Sequence, residues 1–140
     1  MTTKKTIVEF SKSSLSAWES VREDITREMG EAPKNLDLFM LAMTVGFANG
    51  TKSLEVKRSG TGVRVEYFNA PELAIMASIQ LADSGETGSI LDLDERLTLA
   101  ELFADAGINI LATKTKSRGN FLKDLVGDVM DITRNKAVEG

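Results

Sequence analysis

NLDLFMLAMTVGFANGT, residues 35–51, is the stretch whose reading decides the fold. From Leu36 to Ala48 nearly every position is apolar, whichever way the helical wheel is turned. A helix of that kind belongs inside a core, not on its surface. Asn35 predicts an N-cap, and Asp37 stands where the helix dipole favours a carboxylate. Asn49-Gly50 predicts the stop, since both residues tolerate left-handed backbone. Gly46 offers a neighbour close approach. The segment is too short to cross a bilayer: about 15 helical residues reach ~22 Å against a hydrocarbon core of ~30 Å. The reading is therefore a central, interior helix enclosed by its neighbours.

Working outward, Thr6 to Phe10 reads as a short extended piece. Ser16 and Glu19 fit a capping box. Leu15, Trp18, Val21, Ile25 and Met29 then recur at steps of three and four, one face of an amphipathic helix that Gly30 ends. Beyond residue 51 the pattern changes. Leu54 and Val56 on one side of Ser59-Gly-Thr-Gly62, and Val63, Val65, Tyr67 and Phe68 on the other, predict an antiparallel β-hairpin. Asn69 caps a helix with Pro71 in its first turn, closed at Ser84-Gly85. A helix from about Glu95 to Thr113 carries Leu99, Leu102, Phe103, Ala106, Ile110 and Leu111, and KTKSRG breaks it. Asn120 caps a last helix lined by Leu122, Leu125, Val126, Val129 and Met130. The expectation is one mainly α domain over residues 1–140. It has about five helices around a buried central one, a short hairpin, and loose ends at about 1–5 and 135–140.

Composition bounds the chemistry. The 140 residues are 42% hydrophobic and 27% charged, the balance of an ordinary globular domain. There is no cysteine, so disulfide and thiolate chemistry are excluded, and a reducing cytoplasm is the expected compartment. There is no histidine, which removes the commonest general base and zinc ligand. The N-terminus lacks the apolar run of a signal peptide. A net charge of -4 argues against non-specific nucleic-acid binding, because counterion release needs a basic surface.

Three stretches carry candidate chemistry. Asp92, Asp94 and Glu95 open like a calcium loop, but position twelve is Phe103, not glutamate; a solvated helix start is the expected role. The glycines of 59–62 and 85–89 match no phosphate-binding fingerprint and are read as turns. KTKSRGNFLK, residues 114–123, holds four cations and no acid. Lys114, Lys116, Arg118 and Lys123 could join Lys57, Arg58 and Arg64 in one basic patch, if the fold brings them together. That patch is the candidate surface for a protein partner or for nucleic acid. No serine elbow, Ser-x-x-Lys unit or metal cluster is present, so no catalytic residue, cofactor or metal is expected. Ile90, Leu91 and Leu93 either seal a homodimer or pack under their loop, and a homodimer is carried as the expected arrangement.

Two stretches also carry a resemblance. DLFMLAMTVGFANGTK, and ELAIMASIQLADSG followed by ILDLDERLTLAELFADAGINIL, resemble small proteins associated with bacterial DNA-phosphorothioation (Dnd) systems. The likeness covers about residues 35–112 and includes the pair Ala106-Gly107. It implies a defence-associated accessory protein and brings no catalytic residues with it. The leading functional expectation is thus a non-catalytic interaction or regulatory protein. A nucleic-acid-binding regulator comes second, and a divalent-metal enzyme at Asp92, Asp94 and Glu95 third.

Overall fold

The computed structural model describes residues 5–85 and 92–117. Four α-helices lie among them: α1 (Leu15–Met29), α2 (Asn35–Ala48), α3 (Ala70–Ser84) and α4 (Leu93–Ser117). One antiparallel pair of strands, β1 (Ile7–Glu9) and β2 (Gly62–Arg64), completes a mainly α architecture. The fifth helix expected from Asn120, and the apolar Ile90 and Leu91, lie outside the described residues.

Each helix begins and ends for a local reason. Asn69 and Glu72 form a capping box on α3, the Asn69 N–H donating to Glu72 Oε1 at 2.8 Å, with Pro71 in the first turn. Gly30 ends α1 with φ 85° and an N–H donated to the Thr26 carbonyl at 2.8 Å. The capping box expected at Ser16 and Glu19 is not used. The helix starts at Leu15, behind a single 3₁₀ turn, Lys12–Ser14, and Ser14 spends its hydroxyl elsewhere. Asn35 is likewise the first helical residue of α2 instead of its cap. Its side chain is a joint: Nδ2 donates to the Gly62 carbonyl at 3.2 Å, and Oδ1 accepts from Arg22.

The strand pair is present, but its first strand is the N-terminal segment. Ile7 pairs with Arg64, Val8 with Val63 and Glu9 with Gly62. Residues 53–60 form no strand, because their polar groups are taken by other partners. Ser53 N–H donates to the Leu102 carbonyl at 3.0 Å, and the Ser59 and Gly60 amides donate to Glu9.

The helix buried on most sides is α4, which packs against α1, α2, α3 and β1. Leu97, Ala100, Phe103, Ala104, Ile108 and Leu111 are all in the core. On α2 the buried residues are Leu38, Phe39, Ala42, Met43, Val45 and Gly46, while Asp37 and Thr44 face solvent and Met40 and Leu41 are half-buried. The sequence made α2 the enclosed helix because beyond Asp37 in its first turn it carries no charge. The fold gives the centre to α4, whose two mid-helix acids are buried with partners. α4 also continues to Ser117 instead of breaking at Lys114: Lys114 and Lys116 form helices well and suit a C-terminal turn. Phe10 stacks on Trp18 at 3.8 Å between ring centroids, closing the core beneath β1. Among the described residues, no helix is long and apolar enough to cross a membrane.

Candidate functional site: a loop held by buried carboxylates

Residues 51–61 connect α2 to β2 without regular structure, yet buried acids and backbone bonds fix them along their length. Glu9, at the end of β1, is buried. Its Oε1 accepts the N–H groups of Ser59 (3.0 Å) and Gly60 (2.8 Å), and its Oε2 accepts Arg58 Nε at 3.2 Å. The loop is further tied to the chain beside it. Lys57 N–H donates to Ser11 Oγ at 3.0 Å, Lys12 N–H to the Lys57 carbonyl at 2.9 Å, and Phe10 N–H to the Thr61 carbonyl at 2.8 Å.

The second holder is Asp105 on α4, also buried. It accepts Ser14 Oγ at 2.6 Å and Ser53 Oγ at 2.5 Å. Asn109, one turn on, donates to Ser14 Oγ at 3.0 Å. A single carboxylate therefore anchors both the start of α1 and the loop. The third acid, Glu101, lies one helical turn before Asp105. It accepts Glu9 N–H at 2.6 Å and Lys5 Nζ at 2.9 Å.

Between these ties Leu54 is 100% exposed. An isolated surface leucine is ordinary. A leucine held out on a loop whose backbone is fixed on both sides is a preorganised apolar contact.

Beside the loop opens a polar cleft of about 470 Å³, walled by Lys5, Glu9, Arg58, Asp94, Thr98 and Glu101. The two glutamates differ. Burial pushes Glu9 upward, but the Gly60 and Ser59 amides and the Arg58 guanidinium outweigh it, holding the carboxyl below the ordinary glutamate range. Burial also pushes Glu101 upward, and there it wins over Lys5 and the Glu9 N–H, with the Glu9 carboxylate adding to the rise. Both Glu101 oxygens are engaged, by Lys5 and by the Glu9 amide. The arrangement acts as a tie between β1 and α4.

The acidic run 92–95 is also built into the fold. Asp92 precedes α4 and its Oδ1 accepts the Glu95 N–H at 3.1 Å, an N-cap. Asp94 Oδ1 accepts the Lys5 N–H at 3.0 Å. No cluster of three potential metal-ligating side chains occurs among the described residues.

Among the described cations singled out from the sequence, Arg58 and Arg64 line different clefts. Lys57 is exposed on the loop. Arg58 is 89% exposed and leans on Glu9. Arg64 pairs with Glu66 at 2.8 Å and lines a different cleft of about 590 Å³, with Lys34 and Tyr67. Lys114 is half-buried on α4. Of Lys116 only the helical backbone is described, and Arg118 and Lys123 lie outside the described residues. Sequence reasoning missed Glu9, Glu101 and Asp105. The available signal was acids embedded in apolar runs: one in TIVEF, and two at a spacing of four within LAELFADAG, Leu99 to Gly107.

No family model matches the chain, and no curated protein or solved structure matches it either.

Proposed function

We propose that the protein is a non-catalytic interaction protein that binds another protein through residues 51–61, with Leu54 as the apolar anchor and Lys57 and Arg58 beside it. The observation that carries this reading is the fully exposed Leu54 on a loop tied down by Glu9 and Asp105. Fixing a loop in advance removes ordering entropy that binding otherwise has to overcome. The likeness to Dnd-associated proteins extends the proposal to an accessory or regulatory role in a DNA-modification defence system, in the cytoplasm. The nucleic-acid reading is weaker, because Arg58 and Arg64 each already face a carboxylate and line separate clefts.

The test is purification of the tagged chain from its native host, wild type against Leu54→Asp and Lys57→Glu/Arg58→Glu. Burying one leucine stabilises a complex by roughly 1.5–3 kcal/mol, so Leu54→Asp is expected to weaken a stoichiometric protein complex at least tenfold. Its melting temperature should stay unchanged. Undiminished recovery of the partner with both variants would remove the loop from the interface. Duplex DNA binding that falls steeply with salt would favour a nucleic-acid-binding regulator instead.

A further inference from the structure

We propose that a second copy of this chain packs on α3 through a two-fold, antiparallel helix contact centred on Ser78. Pro71, Ala74, Ile75, Ser78, Leu81 and Ala82 recur at steps of three and four along α3, and all are exposed. Ile75 is 46% exposed and Leu81 37%. The opposite side of the same helix, Met76, Ile79 and Gln80, is buried in the fold. The open face carries no charge. The Ser78 hydroxyl is satisfied within the helix, donating to the Ala74 carbonyl at 3.0 Å.

The order of side chains on this face fits a copy of itself. It is symmetric about Ser78, with an alanine four residues to each side (Ala74, Ala82) and a large aliphatic three residues to each side (Ile75, Leu81). A two-fold axis perpendicular to the helix, passing at Ser78, reverses the second α3. Ile75 of one copy then lies over Ala82 of the other, and Leu81 over Ala74. Each large side chain meets a small one, twice over, as an isologous contact requires. The small residues along the middle let the helices approach to about 8–10 Å.

One helix face is smaller than the ~800 Å² per partner of a standard interface, so the expected dissociation constant is on the order of micromolar.

Sedimentation equilibrium of the full chain, from about 1 µM to about 300 µM, reads this directly. The expected mass rises from 15.2 kDa towards twice that value. Ser78→Arg, which sets two cations against each other on the axis, should stay monomeric throughout with an unchanged circular dichroism spectrum. Because the chain has no cysteine, Ser78→Cys provides a second readout. Facing positions on helices ~9–10 Å apart have Cα atoms roughly 5 Å apart, within disulfide reach. Mild oxidation should cross-link Ser78→Cys and leave Thr98→Cys, exposed on α4, largely monomeric. A wild-type monomer at every concentration overturns the proposal. So does a dimer that survives Ser78→Arg, or equal cross-linking at position 98.

Discussion

Gly46 of α2 and Gly107 of α4 meet backbone to backbone where the two helices cross. A Cβ on Gly107 would stand 2.7 Å from the Ala42 carbonyl carbon and 2.8 Å from Gly46 N, overlapping the Ala42 oxygen. A Cβ on Gly46 would stand 2.9 Å from the Phe103 carbonyl carbon and overlap its oxygen. Backbone has nowhere to yield, so Gly46→Ala and Gly107→Ala should each destabilise the fold by about 2–3 kcal/mol, despite the better helix propensity of alanine. Gly30→Ala is the comparison. It meets no atom within 4 Å but has a φ of 85°, so its cost should be smaller, about 1 kcal/mol. Thermal unfolding followed by circular dichroism ranks the three. Equal melting temperatures for Gly107→Ala and wild type would mean that the helices are not in backbone contact.

Glu9 and Glu101 should leave opposite marks on stability against pH. The folded-state pKa of Glu9 is depressed. Its contribution is therefore present above the ordinary glutamate value of about 4.3 and is lost as pH falls through the lower folded value. The folded-state pKa of Glu101 is raised. The folded protein then holds that proton longer than the unfolded chain does, and stability declines as pH rises from about 4.3 through the raised value. Urea midpoints measured from pH 3 to pH 8 separate the two. Glu9→Gln should flatten the acid limb, and Glu101→Gln should flatten the decline above it. An unchanged profile in Glu101→Gln would show that Lys5 fully offsets the burial of this carboxyl.

How much of this was legible follows from what each residue touches. The periodicity and glycine stop of α1, and the cap, proline and glycine stop of α3, could be read because these signals act within a few residues. The close approach at Gly46 was legible as a small residue in an apolar helix. Its partner Gly107 was not, because nothing in a linear pattern says which helices cross. The pairing of β1 with β2 was hidden for the same reason: Ile7 and Arg64 are distant in sequence, and a glycine-rich turn between apolar residues reads as a local hairpin. Charge misled in both directions. Arg58 and Arg64 looked like one patch, and each is matched with an acid in its own cleft. Glu101 and Asp105 stand outside the apolar stripe read for α4, and both are buried.

Asp105 is expected to be the most damaging single acid to lose. Ser14 and Ser53 both donate to it, and both belong to segments far from α4 in sequence. Asp105→Ala leaves two hydroxyls without their acceptor in a buried setting, which should cost roughly 2–4 kcal/mol. Asp105→Asn keeps one acceptor oxygen and should cost less. A double-mutant cycle of Ser14→Ala with Ser53→Ala, in the presence and absence of Asp105→Asn, measures whether the two ties couple through the shared carboxylate. Additive effects would mean that the start of α1 and the loop are held independently.

Asp92 supplies the last expectation, because two roles for the 92–95 acids predict different things. As an N-cap, the Asp92 carboxylate takes the Glu95 N–H at the entrance of α4. Removing it by Asp92→Ala should then lower stability by about 1 kcal/mol, and Asp92→Asn, which keeps a capping oxygen, by much less. Neither effect should depend on added cations. As metal ligands, the same acids would make the wild-type melting temperature rise with Mg²⁺, Mn²⁺ or Ca²⁺, since an ion that binds only the folded state stabilises it by mass action. That rise would vanish in Asp92→Asn and Asp92→Ala alike. Thermal shifts of the three proteins with each ion therefore decide between them. Asp94 sharpens the contrast: its Oδ1 already accepts the Lys5 N–H, so an ion taking that oxygen would compete with the N-terminal segment. An ion-dependent rise in melting temperature accompanied by release of residues 5–9, seen as faster amide exchange there, would overturn the capping assignment.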